Sequence, residues 1–348
     1  MWFDMRRGRS SKVETETFFP VDAVVLWVDG NDAAWRESRA AYLPELKTTG
    51  TEEYRFRDWD LMRYWFRGIE AFAPWFNKIY LITCGQRPKW LQKDHPNLVE
   101  INHADFIPPE YLPTFNSNVI EIFLNQIEGL SERFVLFNDD TFVVSPTERS
   151  DFFSDNGLPR DAAVLGTIAS PLTYSVFPFA QLNNSSIINT HFSLPEVLKR
   201  ERRKFYSLRY GKDVLNNMVL GRGRCISKFH TYHMPQAFLK TTFDEVWKAE
   251  PEMLEACARQ RFRSKDDVSW YLMQMWQCCS GKFEPRNPHI GRSFVIGRDE
   301  GLCEALVSGK YKVVCANDDL DSIDFESEKH KLVAAFESIL PVKSSFEA

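Results

Sequence analysis

Two short runs concentrate the groups best suited to metal and phosphate chemistry: Asn138-Asp139-Asp140 and Asn317-Asp318-Asp319. Each follows an apolar stretch, RFVLF in one case and KVVCA in the other, so each sets an amide and two carboxylates where a buried strand ends. Four carboxylates gathered on one rim raise each other's pKa unless a cation lies among them. A hard divalent ion with oxygen ligands is the usual remedy, and Mg2+ also shields a diphosphate. The plainer alternative is that each pair caps a turn. Two such runs, each closing a strand, weigh against it.

Asp29 in WVDGND is a third carboxylate at a strand end, followed by Gly30, which permits close approach of a ligand. Turn formation would serve that residue equally well, and Asp32 reads as the N-cap of the next helix. Arg57 and Arg63 in RFRDWDLMRY, with Arg261 and Arg263 in RQRFRS, are the guanidinium candidates for holding phosphate, since no Walker loop is present. His230 and His233 in KFHTYHMP stand at i,i+3 without an HExxH pattern. His233, ahead of Met-Pro, is the candidate acid–base or phosphate contact. No GxSxG elbow and no CxxC pair occur, so neither a serine nucleophile nor a structural zinc site has support.

The elements that must position these groups follow from the hydrophobic pattern. Strands are predicted at Ala23–Val28, in KIYLITCG, in NLVEIN and in RFVLF. Helices are predicted at Ala33–Ala41, through Leu61, Tyr64, Trp65, Ile69 and Phe72 up to Pro74, briefly near Lys89–Gln92, and from Asn116 or Ser117 to about Ile127. Alternation of this kind implies an α/β fold with a mainly parallel sheet, whose ligands sit beyond the carboxyl ends of the strands. The stretch from Gln181 to Arg298 reads as mainly helical, with Asp266 near the N-terminus of one helix. KVVCA is then expected to rejoin the original sheet before a closing amphipathic helix in DFESEKHKLVAAFESIL. The organisation expected is a flexible tail at 1–17, an α/β core at 18–180 and 299–348, and a helical insertion at 181–298.

Composition narrows the classes. Apolar residues at 44% and charged residues at 26% support a packed core, and a net charge of −5 argues against broad nucleic-acid binding. One basic run, KRERRKFYSLRYGK from Lys199, is the exception: a solvated helix face, or a contact for phosphate or anionic lipid. Seven scattered cysteines suit reduced thiols. With no signal-peptide segment and no run of bilayer-spanning length, a cytoplasmic protein is expected, with peripheral contact to the inner membrane face as an option.

The blocks FPVDAVVLWVDGNDAAW, RFRDWDLMRYWFRGIEAFAPWFNKIYLITCGQRPKWL and LPTFNSNVIEIFLNQIEGLSERFVLFNDDTF resemble the first two signature regions of the Stealth family, with FHTYHMPQAFLK and VVCANDD resembling the third and fourth. The resemblance implies a hexose-1-phosphate transferase on a glycosyltransferase-A-like core. It would move sugar 1-phosphate from a UDP-sugar to an acceptor hydroxyl with release of UMP, assisted by Mg2+ or Mn2+, in capsule or surface polysaccharide synthesis. It also implies roles. Asp29, Asn116 and Asn118 would lie near the donor, and Asn138, Asp139 and Asp140 would form the block where a carboxylate serves the acceptor hydroxyl or the metal. His233 and Arg263 would meet phosphate, and Asn317, Asp318 and Asp319 would hold metal. Where relatives show an ELRYSLRS-like run this chain has LMRYWFRG, with Leu61 in place of Glu and Trp65 and Gly68 in place of Ser. From the residues alone, a metal-dependent glycosyltransferase releasing UDP and a non-catalytic carbohydrate-binding protein remain open.

Overall fold

The computed structural model describes residues 19–43, 51–169, 175–320 and 322–348, so the tail expected at 1–17 lies outside it. The first strand, β1 (Asp22–Leu26), is the apolar run that the sequence marks. Helix α1 (Ala33–Tyr42) begins where Asp32 accepts a hydrogen bond from the Trp35 amide at 2.7 Å, the capping role read from the sequence. Helix α2 (Met62–Phe72) stops ahead of Pro74, and strands β2 (Ile79–Thr83) and β3 (Leu98–Asn102) follow. Leu91 and Gln92 form no helix. Their backbones meet the chain's end, Leu91 bridging Glu347 and the Gln92 amide donating to Phe346 at 2.7 Å. Helix α3 (Ser117–Ile122) starts at the Asn116 cap and ends earlier than expected, giving way at Phe123 to a tighter turn through Gln126.

Strand β4 (Arg133–Phe137) pairs with β1 on the side opposite β2, so the parallel strands run β3-β2-β1-β4. Chain order therefore reverses between β1 and β4, which opens a crevice beyond their carboxyl ends. Alternate residues serve the two faces. Val24, Tyr80, Ile82, Phe134 and Leu136 join one apolar core, while Ala23, Val25, Ile79, Leu81, Val135 and Phe137 join the other.

Immediately after the first Asn-Asp-Asp turn comes β5 (Thr141–Val143). The middle of the chain supplies α4 (Phe177–His191) and α5 (Val214–Leu220), then a strand, β6 (Gln236–Leu239), then α6 (Lys240–Ala249), α7 (Pro251–Ala258) and α8 (Tyr271–Cys279). It is not wholly helical, because β6 adds antiparallel to β4 at the main sheet's edge. Asp266 is exposed and lies well before α8. Among the described residues no helix is long and apolar enough to cross a membrane.

One strand changes its expected partner. After β7 (Gly291–Val295), strand β8 (Val313–Asn317) does not rejoin the first sheet but forms a second one in the order β7-β8-β5. The edge of β4 is already taken by β6, whereas β5 offers a free edge directly after the first Asn-Asp-Asp turn. Cys315 pairs with Thr141, and the Ala316 amide donates to the Asp140 carbonyl at 2.8 Å. The result is the same juxtaposition by another route: the two Asn-Asp-Asp runs lie side by side. Helix α9 (Phe325–Ile339) closes the fold, with Phe336 stacked on Tyr64 of α2.

Candidate active site

A cavity of about 510 Å³ opens at the crevice between β1 and β4. It gathers Arg57, Asn118, Asn138, Asp139, Asp140, His233, Arg263, Asn317, Asp318 and Asp319, ten of the residues singled out in the sequence. Asp29 and Arg63 face a second cavity of about 930 Å³ that shares Trp27, Asp58 and Phe115 with the first. Asp29 there shapes its turn, its carboxylate accepting from the Asn31 amide at 2.8 Å, and Arg63 reaches back to Asp60 at 3.2 Å. Asn116 is buried beneath the site.

At the centre, His233 Nε2 lies 3.3 Å from Asp140 Oδ2 and 3.2 Å from the Asn138 amide, and the Cys315 thiol sits 3.5 Å from the same Asp140 oxygen. His233 is held at φ 52°, a left-handed backbone that a non-glycine residue keeps only when its surroundings enforce it. The adjacent Tyr232 supplies one restraint, its hydroxyl donating to Asp213 at 3.0 Å. Burial works against the Asp140 carboxylate, yet His233 and the hydrogen bonds from it and Cys315 hold its pKa below the usual value. The Cys315 sulfur and the Asp140 carboxylate raise His233 well above its ordinary value, against the cost of burial. Asp139 is exposed towards the cavity, where the surrounding walls strip away part of its water. That desolvation, with Asp140 and Asp58 adding repulsion, pushes its carboxyl up to about 7. Neighbouring carboxyls of one type are thus driven apart by their surroundings.

Cations face these acids. Arg57 and Arg263 line the cavity, and so does Arg55, which no motif in the sequence marks. Arg263 donates to Ser117 Oγ at 2.9 Å, and its pKa is lowered first by burial and then by the charge of Arg55. Two guanidiniums held close enough to oppose each other make a place for an anion. The Asn116 and Asn118 amides both donate to Asp267, at 3.0 and 2.9 Å, tying α3 to the loop that carries Arg263. The key acid of that segment is therefore Asp267, one residue beyond the Asp266 noted in the sequence. Glu121, buried below Arg263, has its carboxyl pushed up to about 8 by desolvation. Cys315 was legible in principle: two residues before Asn317 on a strand, it faces the same side.

The residues fit a hard divalent cation. Carboxylates of Asp58, Asp139, Asp140, Asp318 and Asp319 line one cavity, Asp140 Oδ1 is buried without a hydrogen-bond partner, and the repulsion on Asp139 is what a cation relieves. Asp318 has calls on both oxygens, from Arg57 at 3.4 Å and from the Trp59 indole at 3.0 Å. Asp319 is exposed to the cavity.

An open, mainly parallel α/β sheet with clustered acids, a paired histidine and converging arginines at its carboxyl edge defines the class: an α/β protein whose site suits anionic, phosphate-bearing ligands. The chain belongs to the Stealth family, as models of Stealth protein conserved region 1 and conserved region 2 match residues 19–47 and 55–161. It is 40% identical over 332 residues to the capsular polysaccharide phosphotransferase WcwK of Streptococcus pneumoniae, covering 94% of this chain and 98% of that one. The receptor polysaccharide phosphotransferase WefC of Streptococcus gordonii matches at the same identity and coverage. The exopolysaccharide phosphotransferase cps2G of Lactiplantibacillus plantarum is 36% identical, with 94% and 96% covered.

Proposed function

We propose that this protein transfers a hexose or N-acetylhexosamine 1-phosphate from a UDP-sugar to a hydroxyl of an acceptor sugar, releasing UMP, in capsule or surface polysaccharide synthesis. The core would be of glycosyltransferase-A type. The observation that carries the reading is the Asp140–His233 pair at 3.3 Å, set in one cavity with Arg55, Arg57 and Arg263. A group able to take a proton and a set of groups able to hold phosphate oxygens are what such a transfer needs.

In this reading the acceptor oxygen attacks the β-phosphorus of the donor. The bond between that phosphorus and the oxygen bridging to the α-phosphate breaks, UMP departs, and the sugar's own anomeric C–O bond stays intact. The acceptor's proton passes to the Asp140 carboxylate, which His233 holds ionised, while the imidazolium beside it keeps its positive charge near the phosphate oxygens. Arg55, Arg57 and Arg263 hold the phosphate oxygens. Asp139 and Asp319, with Asp318 and Asn317 beside them, would hold Mg2+ or Mn2+, which supplies charge neutralisation on the diphosphate.

The test is turnover of a panel of UDP-sugars with Mg2+ and capsule oligosaccharides, with UMP resolved from UDP by chromatography. Wild type is expected to release UMP, and Asp140→Asn and His233→Ala to lose it by about 10²- to 10⁴-fold. UDP in place of UMP would mean that the sugar's C–O bond breaks and that the reaction is glycosyl transfer.

A further inference from the structure

We propose that residues 199–224 form a docking surface for an anionic phospholipid membrane. This inference stands apart from the reaction proposed above and rests on a different part of the molecule. The segment carries nine Lys and Arg against Glu201 and Asp213, in a chain whose net charge is −5. Two of the cations are structural: Arg200 donates to the Cys279 carbonyl, and Lys204 to the carbonyls of Gly281 and Phe283 at 2.8 and 2.7 Å, closing the C-terminal end of α8. Arg202, Arg203, Arg209, Lys212, Arg222 and Arg224 are exposed and make no ion pair among the described residues.

Large apolar side chains stand among these charges. Leu208 is 91% exposed, and Leu215, Met218 and Val219 of α5 are 57%, 51% and 67% exposed. Leu215, Met218 and Val219 are spaced i, i+3, i+4 and so share one helix face. The outward orientation of that face is fixed from below by Asn217. Its amide donates to the carbonyls of Ala163 and Phe205 at 2.8 and 2.6 Å, and its oxygen accepts from the Leu165 amide at 2.6 Å. Rolling α5 inward would bury the leucine and methionine only by breaking three buried hydrogen bonds.

The core of a protein interface is depleted of charge, which does not describe apolar tips rimmed by six arginines and lysines. A polyanionic polymer would meet the cations but leave the apolar tips unused. A bilayer surface satisfies both, apolar tips reaching the acyl boundary while cations meet anionic headgroups. The surface is also joined to the loop that carries His233. Asp213, at the foot of α5, accepts from Tyr232, the neighbour of His233, and pairs with His289 at 3.0 Å.

The experiment is cosedimentation of the full chain with vesicles of phosphatidylcholine alone or with phosphatidylglycerol, at low and high salt. Wild type is expected to partition onto the anionic vesicles and to leave them as salt rises. The pair Leu208→Ser/Val219→Ser and the triple Arg202→Glu/Arg203→Glu/Arg209→Glu should each lower the partition coefficient about tenfold or more. Both should keep the wild-type melting temperature and the wild-type turnover of soluble acceptor without vesicles, so a failure here is separable from a failure of the proposed reaction. Wild type remaining in the supernatant with anionic vesicles would overturn the proposal. So would an apolar pair that binds like wild type, pointing to a polyanion, or a wild-type dimer by light scattering that the apolar pair makes monomeric without any vesicle binding.

Discussion

Asp139 and Asp140 are adjacent and chemically identical, yet one side chain is locked against His233 and Cys315 and the other opens to the cavity. That difference is invisible in the sequence, because it depends on which strand supplies the neighbours. The position of the pair at a strand end was legible; its division of labour was not. Glu121 shows the same limit more sharply. On a short helix in a signature block it reads as an ordinary acid, and only tertiary burial pushes its carboxyl up to about 8. The folded state therefore keeps a proton that the unfolded chain releases above about 4.5, so this group's contribution to stability declines as pH rises from there through 8. Glu121→Gln is expected to unfold like wild type in urea below pH 4.5 and to be more stable at pH 8, by on the order of 4 kcal/mol. Equal stabilities at the higher pH would show that Glu121 is ionised in the fold, balanced by Arg263.

At the scale of elements, the parallel strands and α1 and α2 were readable because their periodicity and punctuation agree with their final burial. What pattern could not supply was partnership. β8 has the apolar look of a core strand, and only the free edge of β5 decides that it starts a second sheet. The departures in α2 have a similar explanation. Trp65 is fully buried against Phe137, and Gly68 lies under the Val143 carbonyl, 2.4 Å from where a Cβ would stand, so both positions serve packing. Gly68→Ala should cost about 1–3 kcal/mol through overpacking, read as a lowered melting temperature. The chain's end is fastened to the same helix. Arg67 and Glu347, whose side chains are 6% and 2% exposed, pair at 2.7 Å. Glu347→Ala leaves a buried guanidinium short of its partner and should cost about 3–5 kcal/mol. A denaturation midpoint equal to wild type would mean that Glu337, which also reaches Arg67, carries the charge alone.

Across the whole molecule, the site draws on segments far apart in the chain: Asn138 to Asp140, His233, Arg263, and Asn317 to Asp319. Each segment announces itself in the sequence, but their meeting requires both sheets, since β4 carries the first run and β8 the second. The fold thereby spends stability to assemble like charges, and Asp139, raised to about 7 largely by desolvation and by its acidic neighbours, registers that cost. Asp139→Asn relieves the repulsion and should melt at a higher temperature than wild type in the presence of a chelator. Mg2+ should raise the melting temperature of wild type progressively, as binding to the folded state alone requires, by about 2.7 kcal/mol of added stability at a hundredfold excess over Kd. The same titration should raise Asp139→Asn little, so that the two melting curves converge and then cross as Mg2+ increases. Parallel curves, with the variant gaining as much from Mg2+ as wild type does, would remove Asp139 from the cation's ligands and leave Asp318 and Asp319 to hold it.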